Sequence, residues 1–170
     1  MVTRLEPLSE DWERALAVVA HPDDLEYGAA SAIARWTSQG KEINYLLVTR
    51  GEAGIDSMPP EEVGPLRERE EINSAGLVGV RNVDFLDYRD GVIEYGLPLR
   101  LDITRAIRKH RPEILIVLHQ QDQLARRWDS LVARVLILLD LAQYQSGQVK
   151  PEGRALARLA FNDNLTSRLL

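Results

Sequence analysis

ALAVVAHPDDLEYGAASAIARW, residues 15–36, changes chemistry at one point. Ala15 to Ala20 is an apolar run of strand length, and the stretch after it, Gly28 to Gln39, has the apolar spacing of a helix closed by Gly40. Between them stand His21, Pro22, Asp23 and Asp24. An imidazole and two carboxylates at the end of a buried strand are costly to desolvate unless they are paired, hydrogen-bonded or holding a cation. The stretch therefore predicts both a strand-to-helix unit and a chemical site where the strand ends.

Working outward, the pattern repeats. Ile43 to Thr49 reads as a second strand, and RGEAGIDSMPP after it is a turn-rich loop of the kind that carries function. Pro65 to Ala75 is predicted as a helix, with Pro65 early in it and Gly76 near its end. Val83 to Leu86 is a third strand, followed by the loop DYRDGVIEYG, in which Asp90 and Gly91 read as turn residues without assigned chemistry. Leu99 to His110 is a helix, Ile114 to Leu118 a fourth strand, and Leu131 to Gln143 a final helix. The basic cluster Arg105, Arg108, Lys109, His110 and Arg111 reads as a solvated face at a helix C-terminus rather than a phosphate site.

Strands alternating with helices predict an α/β, Rossmann-like three-layer sandwich with a mostly parallel sheet. Ligands of such sheets bind outside the carboxyl ends of the strands. HPDD, RGEAGID, DYRDG and His119 all follow strands and so converge on one edge.

At 170 residues the chain is expected to form a single domain. A net charge of −5 and a pI near 5.3 argue against a nucleic-acid partner. With no Cys, thiolate metal sites and thiol nucleophiles are excluded, so a metal would be held by His, Asp, Glu or water. MVTRLEPLSEDWER, residues 1–14, lacks the pattern of a secretory signal. No apolar run approaches the roughly 18 residues of a membrane span. The expectation is a cytoplasmic protein, with homo-oligomerisation left open.

His21 and Asp24 are three apart, a spacing that can bring both to one side. An imidazole and a carboxylate suit Zn²⁺, whose catalytic sites normally take three protein ligands and a water. Asp23 between them is then placed as the base that a hydrolytic water needs. The plainer reading is that an Asp caps the helix and His21 packs at the surface.

AHPDDLEYGAASAIARW, VTRGEAGIDSMPPEEVGPLREREE and FLDYRDGVIEYGLPLRLDITRAIRKHRPEILIV together resemble the PIG-L (LmbE-like) family of metal-dependent sugar N-deacetylases, over about residues 15–118. The resemblance implies hydrolysis of an N-acetyl group on an N-acetylglucosamine-type conjugate. It implies zinc, or another divalent metal in its place, on His21 and Asp24, with Asp23 as the catalytic base. Arg67 resembles a family Arg that orients substrate, and Glu70 stands where its acidic partner is expected.

The family's third ligand is a His in an Asp-His-Arg segment after the fourth strand. Here LHQQDQLARRWDSLVARVLILLD offers Val132 and Ala133 before Arg134, or Ser130 after Asp129, and neither register supplies a His. Three readings follow: His119 replaces the ligand, the metal site is weakened, or another subunit completes it. Without His119 the chain is expected to bind zinc weakly and to deacetylate poorly. A non-catalytic sugar-binding protein of the same fold is the main alternative. A phospho-receiver would need a Lys after a fifth strand, which is not suitably placed. A dinucleotide-binding enzyme would need a G-x-G-x-x-G after the first strand, which is lacking.

Overall fold

The computed structural model describes residues 8–94 and 96–117. Four strands form one sheet: β1 (Arg14–Val19), β2 (Glu42–Leu47), β3 (Asn82–Phe85) and β4 (Ile114–Val117), in the order β3-β2-β1-β4. Every pairing is parallel, with Ala17 of β1 opposite Tyr45 of β2 and Ile116 of β4. Three helices alternate with them: α1 (Ala30–Ser38), α2 (Pro60–Leu77) and α3 (Leu97–His110).

The apolar runs of β1 and β4 follow from burial on both faces of the sheet. Ala15, Ala17 and Val19 pack with Ile33 and Trp36 of α1 and Ala75 of α2. The alternate residues, Leu16 and Val18, pack with Leu99, Ile103, Ala106 and Ile107 of α3. This is the expected three-layer α/β arrangement. Among the described residues no helix is long and apolar enough to cross a membrane.

Strand order fixes where a ligand would bind. The chain moves outward from β1 through β2 to β3, and α3 then returns it to the other side of β1. The carboxyl ends of β1 and β4 therefore flank the switch point of the sheet, where crevices form in open α/β folds. His21 follows β1 by two residues, and His119 follows β4 by two in the sequence. His119 itself, the expected helix Leu131–Gln143, and the Ser130, Val132, Ala133 and Arg134 positions lie outside the described residues.

Several element boundaries shift from the sequence expectation, α3 beginning at Leu97 rather than Leu99 and β2 ending at Leu47 rather than Thr49, and two helix starts bear on the site. The first helix begins at Ala30 rather than Gly28, so HPDD and the residues after it form turns and not a helix N-terminus. The second begins at Pro60, directly after Pro59, and carries Pro65 in its interior. Pro60 takes the position at which a missing N–H costs nothing. Pro65 has no N–H to give the Glu61 carbonyl, and both residues are exposed.

Candidate active site

The residues leaving β1 are held by their own backbone. Asp24 Oδ2 accepts the N–H groups of Ala20 and His21, at 3.0 and 2.9 Å. Asp24 is thus a cap, as the plainer reading has it, but of the strand end and not of a helix. Asp23 adopts a left-handed φ of 83°, uncommon outside glycine and stored by preference at functional positions. That conformation separates the two neighbouring carboxylates. Asp24 turns back on the strand, while Asp23 Oδ2 reaches Arg67 Nη2 at 2.6 Å.

Helix α2 supplies the other side. Its positions 63, 67, 71 and 75 recur every four residues and so share one stripe. Val63 and Ala75 are core residues on it, and Arg67 and Glu71 lie between them. Arg67 Nη2 donates to the Pro22 carbonyl (2.8 Å) as well as to Asp23, whereas Glu70, the expected partner, is 3.7 Å away. Glu71 Oε2 accepts the Asp23 N–H at 3.2 Å. The bend at Asp23 is therefore gripped through its side chain by Arg67 and through its backbone by Glu71.

Glu71 is 2% exposed. Burial, and then the charge of Glu26, push its carboxyl up to about 7. Glu26 Oε1 accepts the Ser74 hydroxyl at 2.5 Å. The remaining oxygens, Glu26 Oε2 and Glu71 Oε1, are buried with no hydrogen-bond partner among the described residues.

Asp90, read as a plain turn residue, is drawn into the site. Its Oδ1 lies 2.9 Å from His21 Nε2, its Oδ2 accepts the Ala53 N–H at 3.1 Å, and its own N–H donates to Glu52 Oε1 at 2.8 Å. The loops after β1, β2 and β3 are thereby tied together. Gly51, with φ of 65°, lets the loop after β2 run against Pro22: a Cβ there would stand 3.1 Å from the proline Cδ. Asp87 instead pairs with Arg50 at 2.8 Å, and the basic end of α3 is spent on Asp84 through Lys109 and His110.

His21 Nδ1 faces Asp24 Oδ2 at 3.7 Å. Burial raises the Asp24 carboxyl above its ordinary range despite the two N–H bonds and His21 beside it. A half-buried carboxylate next to an imidazole nitrogen is a donor pair whose desolvation a divalent cation would offset, so both residues fit a metal. Among the described residues, no group of three or more such side chains is arranged to hold one.

Fold and turn define the class: an α/β sandwich with an imidazole and carboxylates gathered at the switch point of its sheet. Within that class the chain belongs to the PIG-L family, whose model, described as GlcNAc-PI de-N-acetylase, matches residues 16–129. Diacetylchitobiose deacetylase of Thermococcus kodakarensis is 33% identical over 109 residues, covering 63% of this chain and 41% of that protein. The chain thus spans about two-fifths of the length of this curated relative. The structure of N,N′-diacetylchitobiose deacetylase from Pyrococcus horikoshii, complexed with its inhibitor MPG, matches with a TM-score of 0.69 at 25% identity, covering 86% of this chain and 59% of that one. GalB, the 4-carboxy-2-hydroxymuconate hydratase of Pseudomonas putida KT2440, matches with a TM-score of 0.68 at 21% identity, covering 92% and 68%. That likeness is one of fold alone.

Proposed function

We propose that this chain carries the catalytic half-site of a zinc-dependent N-deacetylase acting on N-acetylglucosamine-type conjugates. The observation that carries the reading is the division of labour inside one turn. Asp24 folds back beside His21, where the pair would serve as metal donors, and the left-handed bend at Asp23 sends the second carboxylate outward to Arg67. The family membership and a diacetylchitobiose-deacetylating relative support the reaction class.

His21 and Asp24 would hold the cation, with His119 as the third donor. When bound, it supplies Lewis acidity to the amide carbonyl and acidifies water. Asp23 takes the proton as water adds to the amide carbon, and returns it to the nitrogen as the C–N bond breaks, releasing acetate and a free amine. Arg67 holds Asp23 in place and presents its remaining donors toward a substrate oxygen.

The test is acetate release from N,N′-diacetylchitobiose and related N-acetylglucosamine conjugates, with zinc and with a chelator. Asp23→Asn should keep the metal and lose turnover by on the order of 10²–10⁴-fold, because an amide accepts no proton. If Asp23→Asn loses zinc as readily as Asp24→Asn, the roles within the pair are wrong. A second reading, a sugar-binding member with a weakened metal site, is favoured by Ser130, Val132 and Ala133 standing where the family's Asp and His are expected. It predicts saccharide binding without acetate release at any zinc concentration.

A further inference from the structure

We propose that Glu71 is a positioning residue for Asp23: by accepting the Asp23 N–H it holds the Pro22–Asp23 peptide plane, and that plane aims the Asp23 carboxylate. The inference rests on the reading of Asp23 as the base and names the group that keeps the base aimed.

One helix holds the Pro22–Asp23 peptide at both of its polar atoms. Arg67 Nη2 donates to the Pro22 carbonyl at 2.8 Å, and Glu71 Oε2 accepts the Asp23 N–H at 3.2 Å. The proline ring fixes its own φ, so the free torsions flanking this plane are ψ of Pro22 and φ of Asp23. Asp23 sits at a φ of 83°, a region that residues other than glycine avoid. Turning the plane over would return Asp23 to a negative φ and redirect its side chain, at the loss of both bonds. Arg67 also restrains the tip of the carboxylate, whereas Glu71 acts on the backbone alone.

The surroundings of Glu71 point the same way. It shares the inward stripe of α2 with Val63 and Ala75 and is 2% exposed. Its Oε1 is buried with no hydrogen-bond partner among the described residues. A carboxyl so placed costs stability relative to an apolar side chain of similar size. Among the described residues, the one hydrogen bond its side chain makes is to the Asp23 N–H. Asp23 is itself exposed, so water can take that N–H when Glu71 is replaced. Removing the acceptor should therefore disturb the aim of the base and leave the stability of the fold intact.

The experiment compares the parent with Glu71→Met, which is unbranched and lacks the acceptor, and with Glu71→Gln, which keeps an acceptor oxygen. Four quantities are read: hydrogen exchange of the Asp23 amide by ¹H–¹⁵N spectra, urea unfolding, zinc content, and kcat and KM for acetate release from N,N′-diacetylchitobiose. The Asp23 amide should be protected in the parent and in Glu71→Gln, and should exchange freely in Glu71→Met. Glu71→Met should lose kcat by on the order of 10²-fold, the scale of a displaced reacting group, with KM, zinc content and unfolding midpoint no worse than the parent's. Glu71→Gln should recover most of that kcat. An unprotected Asp23 amide in the parent overturns the proposal, as does an unchanged kcat in Glu71→Met or an equal loss in both variants. A Glu71→Met chain less stable than the parent makes Glu71 a structural residue and overturns it too. A parent that releases no acetate overturns the deacetylase reading instead, and amide exchange then decides by itself whether Glu71 holds the turn.

Discussion

Glu71 ends the run Arg67-Glu68-Arg69-Glu70-Glu71, whose charges suggest a solvated helix face, yet its carboxyl lies beneath the Asp23 bend. Burial first, and the Glu26 charge second, raise it from 4.5 to about 7. Below about pH 4.5 the carboxyl is protonated whether the chain is folded or not, and burial then costs little. Between 4.5 and 7 the unfolded chain releases the proton while the folded chain keeps it. Stability therefore falls as pH rises through that window and stays lower above it, by about 3 kcal/mol if the whole shift is expressed. In the metal-free protein, Glu71→Gln should be more stable than the parent at pH 8 and lose that advantage at pH 4.5, measured by urea unfolding. Parallel stability curves for the two proteins between those pH values would show that folding leaves the titration of Glu71 unchanged. His21, Asp23 and Asp24 were legible as a candidate site because three costly groups stand within four residues just after a buried strand. Asp90 was not, because an Asp-Gly pair after a strand has a sufficient local explanation as a turn, and its partner His21 is 69 residues away in the chain.

Helix α2 and the loop after β2 are the elements that shape the turn, and Gly51 is where they test its tolerance. A side chain there meets a left-handed φ of 65° and a contact of 3.1 Å to Pro22 Cδ. Gly51→Ala should cost about 1–2 kcal/mol from the backbone alone, with further loss from displacing Pro22. Gly76 in α2, where an added Cβ meets nothing within 4 Å, is the control: Gly76→Ala should be neutral or stabilising by up to about 1 kcal/mol. Equal unfolding midpoints for the two variants would remove Gly51 from the account. The strands were readable from their apolar runs, since burial on both faces leaves little room for polar residues. Helix α2 was harder to place. Pro65 resembles a helix start, and only the four-residue spacing of Val63, Arg67, Glu71 and Ala75 reveals that two charged residues lie on the inward stripe. Charge dominated the reading of that segment, while spacing carried its structure.

For the molecule as a whole, the order β3-β2-β1-β4 brings the turn after β1 and the end of β4 to the same edge, which is the reason His119, two residues beyond β4 in the sequence, is proposed as a third donor. The fold alone leaves the chemistry open, since a hydratase shares it. The decision rests on the donor pair at β1 and on what completes it. If His119 does so, His119→Ala should weaken zinc binding by more than the roughly 100-fold expected of an outer contact. If it does not, His119→Ala should match the parent, and Ala133→His should strengthen binding only where the family geometry survives. The most direct measurement is a zinc titration of the parent beside His21→Ala, Asp24→Asn and Asp23→Asn, with folding followed by circular dichroism. The account predicts one zinc per chain in the parent and in Asp23→Asn, and its loss in folded His21→Ala and Asp24→Asn. A parent that takes up no zinc, or four proteins that bind it alike, would contradict it.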